Sequence, residues 1–160
     1  WQWTPADKKL RLLPGTELAG NNGIEISPDE KQFYIAVSGT QTVAVYALAD
    51  TAAPLRQVRT PWYNLDNIHW SGNRLIAAGM MFDEPACGGT PGPQHDLAKL
   101  STCPRGTIAM TIDPATMATT VLVDEPASAA FSNATMVLPV DGQFWIGTFS
   151  GDRVAHGRLR

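Results

Sequence analysis

Residues 23–27, Gly-Ile-Glu-Ile-Ser, alternate apolar and polar side chains, the two-residue period of a strand with one face in water. Ser27-Pro28-Asp29-Glu30-Lys31 follows and reads as a tight turn, because Pro presets φ and Asp hydrogen-bonds its own backbone. Residues 32–37, Gln-Phe-Tyr-Ile-Ala-Val, are then an apolar run rich in aromatic and β-branched residues, as in a buried strand. This strand–turn–strand unit recurs. It returns at Leu65-Asp66-Asn67-Ile68-His69-Trp70-Ser71-Gly72-Asn73-Arg74-Leu75-Ile76-Ala77-Ala78-Gly79, and again from Ser132-Asn133-Ala134-Thr135 to Phe144-Trp145-Ile146-Gly147. No strong 3.6-residue period is present, so the pattern predicts an all-β chain with at most one helical turn near residues 96–100.

The strands group into four-stranded antiparallel sheets. The first sheet takes residues 23–27, 32–37, 41–47 and a weaker edge at 55–58. The second takes 67–70, 74–78, 106–112 and 119–123. The third begins near Asn133 and continues through 143–148 and 153–159. Asn22 and Asp66 lie about 44 positions apart, inside the roughly 40–50 residues of one blade of a β-propeller. The longer gap from Asp66 to Asn133 shrinks to the same period once the Gly/Pro/Cys-rich stretch 82–105 is set aside as a loop insertion. The reading is therefore one domain. Residues 1–14 are an edge strand of a preceding blade, 22–60 and 65–124 are two blades, and 132–160 is most of a third. Propellers close with roughly four to eight blades, so further blades or a second copy are expected to complete the ring. Residue 1 is Trp rather than Met, which favours a preceding segment.

Each repeat opens with Asn or Asp: Asn22, Asp66 with Asn67, and Asn133. The innermost strands of a propeller surround its channel, so these side chains would converge there. Taken singly, each also fits a turn.

The 44% hydrophobic and 17% charged residues describe a globular chain, and a net charge of −3 with no basic run argues against nucleic acid. No apolar stretch approaches membrane-spanning length. Cys87 and Cys103 share the insertion. They are either a disulfide, which would suit a periplasmic or secreted protein although no signal peptide is visible, or two free thiols.

The blocks Asn22-Gly23-Ile24, Ser27-Pro28-Asp29 and Tyr34-Ile35-Ala36 resemble the six-bladed propellers of the gluconolactonase/senescence-marker-protein, strictosidine-synthase-like and paraoxonase (arylesterase) families. Leu65-Asp66-Asn67-Ile68 is similar to the paired Asp-Asn of paraoxonases. Thr135-Met136-Val137 through Phe144-Trp145-Ile146-Gly147-Thr148 resembles their final blade. The resemblance implies the C-terminal half of a six-bladed propeller and a calcium-dependent hydrolase of lactones or esters. Asn22, Asp66 and Asn67 would be Ca²⁺ ligands, joined by a Glu and an Asn from an N-terminal half. The metal would polarise the substrate carbonyl. The alternatives are a non-catalytic propeller serving as a binding or scaffold module, and a metal-free strictosidine-synthase-like protein.

The remaining candidates are weaker. His95, in the insertion, is the one His placed to reach over the channel, while His69 and His156 read as structural and solvated. Cys87, His95 and Cys103 match no zinc-finger spacing. No Gly-x-Ser-x-Gly elbow and no phosphate-binding glycine loop is present. Met80, Met81 and Phe82 either pack in the blade core or line an apolar substrate pocket above the metal, with Asn133 beside it. The insertion is expected at the same mouth of the channel as Asn22, Asp66 and Asn67, because it leaves the end of a strand that runs antiparallel to theirs.

Overall fold

The computed structural model describes residues 1–60, 63–89 and 102–158. They form thirteen strands in four antiparallel sheets and almost no helix. The chain is all-β, as the alternation predicts. Strands β1 (Gln2–Thr4) and β2 (Lys9–Arg11) make a hairpin of their own, where the sequence suggested one edge strand within residues 1–14. Strands β3 (Asn21–Ile26), β4 (Gln32–Val37), β5 (Thr42–Ala47) and β6 (Arg56–Arg59) form the first four-stranded sheet, in that order. Strands β7 (Tyr63–Ser71), β8 (Arg74–Met81), β9 (Thr107–Ile112) and β10 (Thr119–Glu125) form the second. Strands β11 (Ala134–Val140), β12 (Gln143–Thr148) and β13 (Ala155–Arg158) form the third, three-stranded among the described residues.

Each sheet is a meander, so sequence neighbours pair and its first strand becomes one edge. Those first strands meet one another: β3 packs against β7, and β7 against β11. The three sheets thus fan out from a shared inner edge like blades. Two seams hold them together. Between the first and second blades lie Tyr34, Val43, Val45, Ile68, Leu75, Ile108, Met110 and Ile112. Trp70 sits edge-on to Tyr34, with ring centroids 5.6 Å apart, and its Nε1–H donates to the Ile26 carbonyl at 2.6 Å. The second and third blades close over a slighter core of Ile76, Ala78, Ala109, Ala134, Val137 and Ile146.

The two ends of the arc differ. On the first blade the segment 12–18 folds over the outward face. Leu18 packs there on Phe33, Ile35 and Tyr46, and the Tyr46 hydroxyl donates to the Gly15 carbonyl at 3.0 Å. Nearer the inner edge, Ile24 and Ile26 stay exposed. On the third blade Met136, Leu138, Val140 and Trp145 all lie exposed on one face.

Candidate functional site

The inner strands share an irregularity at one level. The register of β3 on β4 shifts between Asn21 and Ile24, that of β7 on β8 between Leu65 and Ile68, and that of β11 on β12 between Ala134 and Met136. Each shift is a β-bulge, which re-aims side chains and main-chain groups out of the ladder. The bulged residues are Asn22 and Gly23, Asp66 and Asn67, and Thr135. Gly23 is needed because the second bulge presses on it. A Cβ at position 23 would stand 2.4 Å from the Asp66 carbonyl oxygen. Only a residue without a side chain lets the two inner strands approach so closely.

The bulges bring three predicted residues together. Asn67 Nδ2 donates to Asp66 Oδ1 at 3.2 Å and across the next seam to the Thr135 carbonyl at 3.0 Å. Asn22 Nδ2 donates to Ser38 Oγ at 3.4 Å, and that hydroxyl donates to the Leu65 carbonyl at 3.0 Å. Burial raises the Asp66 carboxyl above its ordinary value, while a hydrogen bond from the Asn22 side chain opposes the rise. No Lys or Arg is paired with this carboxylate among the described residues.

Asn133 belongs to a different cluster. It is 1% exposed. Its Oδ1 accepts from the Arg105 amide at 3.0 Å, and its Nδ2 donates to the Cys103 carbonyl at 3.2 Å and to Ser150 Oγ at 2.8 Å. Asn133 thus ties the insertion to the third blade. A cleft of about 620 Å³ opens beside it, lined by Thr102, Ser132, Thr148, Ser150 and Arg153 among others.

The described stems of the insertion leave from the end of β8, beside the start of β7 and of β11. That is the end of the blades where the bulges lie. Cys87 and Cys103 form a disulfide, with Cα atoms 5.8 Å apart, and so join the two stems. Met80 is buried, and Met81 and Phe82 are half-buried at the same end. His95 lies outside the described residues. His69 is half-buried with its Nε2 enclosed and unpartnered. His156 is exposed and stacks on Trp145 at 4.8 Å between centroids.

Sequence reasoning missed two participants. Thr135 contributes a main-chain carbonyl, which no residue type advertises. Arg105, at the foot of the insertion, is 3% exposed. Its Nη1 donates to the Met81 and Phe82 carbonyls at 3.2 and 2.8 Å.

Among solved structures, the chain is similar to a protein provisionally named 6-phosphogluconolactonase from Bacteroides fragilis NCTC 9343. The TM-score is 0.52 at 14% identity, covering 96% of this chain and 38% of that one. A protein of the same provisional name from Bacteroides uniformis ATCC 8492 matches with a TM-score of 0.51 at 13% identity, over 88% of this chain and 36% of that one. The fold is that of a partial β-propeller. The chain spans well under half the length of these two structures. No protein-family model matches the chain, and no curated relative matches it. What is established is the propeller architecture, with lactonase-named proteins among its structural neighbours.

Proposed function

We propose that this chain is part of a calcium-dependent hydrolase of lactones or esters, with the metal at the inner edge of the blades. The observation that carries the reading is the convergence of Asn22, Asp66 and Asn67 through bulges at one level of the inner strands. The donor chemistry fits in kind. One carboxylate, two amides and the Thr135 carbonyl are all hard oxygen donors, which suit Ca²⁺ rather than zinc. The two Asn amides would have to turn their oxygens inward, a rotation that exchanges N and O positions without moving the backbone. Four such oxygens fall short of the six to eight that Ca²⁺ takes, so the remainder would come from water, substrate or other blades. Bound there, the ion would polarise a substrate carbonyl and stabilise developing negative charge on its oxygen.

The chain's own residues supply the setting. Asp66 supplies a carboxylate without a cation partner. Without the metal, Asn67 holds that carboxylate against the third blade through its Nδ2. The disulfide-joined stems of the insertion stand over the same end, where loops on a rigid scaffold often select substrates. The apolar faces bared at Ile24 and Ile26 and at Met136, Leu138, Val140 and Trp145 support further blades of the same propeller as their cover. A second copy of the chain is the alternative that native mass spectrometry would report.

A second reading is that of a non-catalytic propeller. It is favoured by one observation: among the described residues no group of three His, Cys, Asp or Glu side chains comes together. The same Asn22–Asp66–Asn67–Thr135 contacts then serve only to tie blades.

Calcium titration followed by calorimetry decides between the two. Saturable binding that is lost in Asp66→Ala, together with lactone or aryl-ester hydrolysis abolished by chelator, is the expected result. Full hydrolysis in Asp66→Ala or in excess chelator eliminates the metal mechanism. Absence of both binding and hydrolysis leaves the scaffold reading.

A further inference from the structure

We infer that the cleft between the insertion and the third blade is a binding site for a neutral polyhydroxylated ligand, the chemistry of a saccharide unit. The inference does not rest on the calcium reading. It begins from how the cleft is held open. The hollow of about 620 Å³ falls within the range of small-molecule sites. Its walls come from three segments: Thr102 and Pro104 on the insertion, the loop before β11, and the loop after β12. Buried Asn133 joins all three, because its Nδ2 donates to the Cys103 carbonyl and to Ser150 Oγ. The loop before β11 closes on itself: Ser128 Oγ donates to the Phe131 carbonyl at 3.1 Å and accepts from the Phe131 amide at 3.0 Å. Thr148 Oγ1 donates to the Ser132 carbonyl at 2.8 Å and accepts from the Ser150 amide at 3.3 Å, which binds one loop to the other. On the insertion, the Cys87–Cys103 disulfide anchors the segment that carries Thr102 and Pro104. The cleft is therefore preformed, and a ligand does not have to order it on binding.

The lining decides the ligand class. Its charged side chains are Asp152 and Arg153, and they pair with each other. Arg153 Nε and Nη2 donate to the two Asp152 carboxylate oxygens at 2.6 and 3.2 Å. An anion entering the cleft would meet Asp152 along with Arg153, and a cation the reverse, so the wall selects neither sign. Hydroxyls remain. Among the described residues Ser132 Oγ makes no hydrogen bond, and Ser150 Oγ accepts from Asn133 with its own proton uncommitted. A hydroxyl both donates and accepts, so such a lining matches a ligand that itself carries hydroxyls. Half-buried Phe131 adds apolar surface beside them, which suits the carbon skeleton of a sugar ring.

The test is a titration of the intact chain with glucose, galactose and mannose singly, and with maltotriose. It is followed at the backbone amide resonances of Ser132, Ser150 and Gly151 in a nitrogen–proton correlation spectrum. Saturable shifts with at least one of these sugars are expected. Tighter binding of maltotriose than of any monosaccharide marks the end of a glycan chain, and the reverse order marks a free sugar. Ala130 lines the cleft from an exposed turn, so Ala130→Trp should fill the hollow and abolish the shifts. Ser132→Ala should weaken binding about threefold or more, the worth of one hydrogen bond. No saturable shift with any of the sugars overturns the inference. So do shifts with inorganic phosphate alone, and so does undiminished binding in a folded Ala130→Trp. Should that variant not fold, undiminished binding in Ser132→Ala overturns it instead. Calcium is left out of every titration, so loss of the metal reading would leave this result standing.

Discussion

The two seams between blades do the same architectural job with different materials. The first is dry and aromatic. Tyr34, Ile68, Trp70, Leu75 and Met110 interlock, and its notable polar contact, Trp70 Nε1–H to the Ile26 carbonyl, is satisfied. The second is built on Ala78, Ala109 and Ala134. Three polar atoms without partners lie on its side, at different ends of the seam. Asn64 and His69 alternate with the first-seam residues Leu65 and Ile68, so they face the third blade, and Arg105 is tied to Asn133 there. Buried polar atoms are nearly always paired, and exceptions mark strain, unseen water or function. The contrast teaches that the first seam is held by bulky apolar burial, while the second relies on small side chains and leaves buried polar atoms unpaired.

The largest effect expected from breaking this contrast lies in the first seam. Leu75 is fully buried among its neighbours, and Leu75→Ala should cost about 2–5 kcal/mol through lost burial and the cavity left behind. Urea unfolding of the variant measures it, and a cost below about 1 kcal/mol would mean that the seam collapses freely. In the second seam the sign should reverse. His69 packs with its Nε2 enclosed and unpartnered, so His69→Leu removes an unmet hydrogen-bonding group and should gain about 1 kcal/mol. A loss of stability in that variant would show that the ring nitrogen is satisfied in solution.

The smallest effect concerns the carboxylate between the seams. Burial raises Asp66 above its ordinary 3.8, so the folded state binds its proton more tightly than the unfolded chain does. Stability should therefore fall as pH rises from that ordinary value through the raised one, and remain lower above it. In the presence of chelator, wild type should lose more stability between about pH 4 and about pH 7 than Asp66→Asn does. Parallel pH profiles for the two proteins would place the carboxylate in a better-solvated setting than its burial implies.

Strands with plain alternation or a continuous apolar run were legible in the sequence, and β4 and β12 span the residues their pattern marks. Legibility failed where tertiary contact overrides local pattern. Strand β7 starts at Tyr63, ahead of the expected residue 67, because the bulge at Asp66 and Asn67 interrupts the two-residue period. Strand β8 runs on through Gly79 to Met81. That glycine reads as a strand end, yet it is there because the Asn64 carbonyl oxygen passes 1.9 Å from where a Cβ would be. The meeting of Asn22 with Asp66 followed from the repeat. The burial of Arg105 and its hold on the Met81 and Phe82 carbonyls could not, since they depend on contacts distant along the chain.

Gly23 has a geometric consequence for the ring as a whole. Blades radiate from an axis, and the angle between neighbours is set by how closely they approach at the hub compared with the rim. At the hub, the first and second blades meet backbone to backbone, with no side chain between Gly23 and the Asp66 carbonyl. Farther out, Val43 and Val45 of β5 and Met110 and Ile112 of β9 hold them apart. A narrow hub and a thick rim make a wide wedge, and wide wedges complete a circle with few members. A side chain at residue 23 would thicken the hub and flatten the wedge, so that more blades would be needed to come full circle.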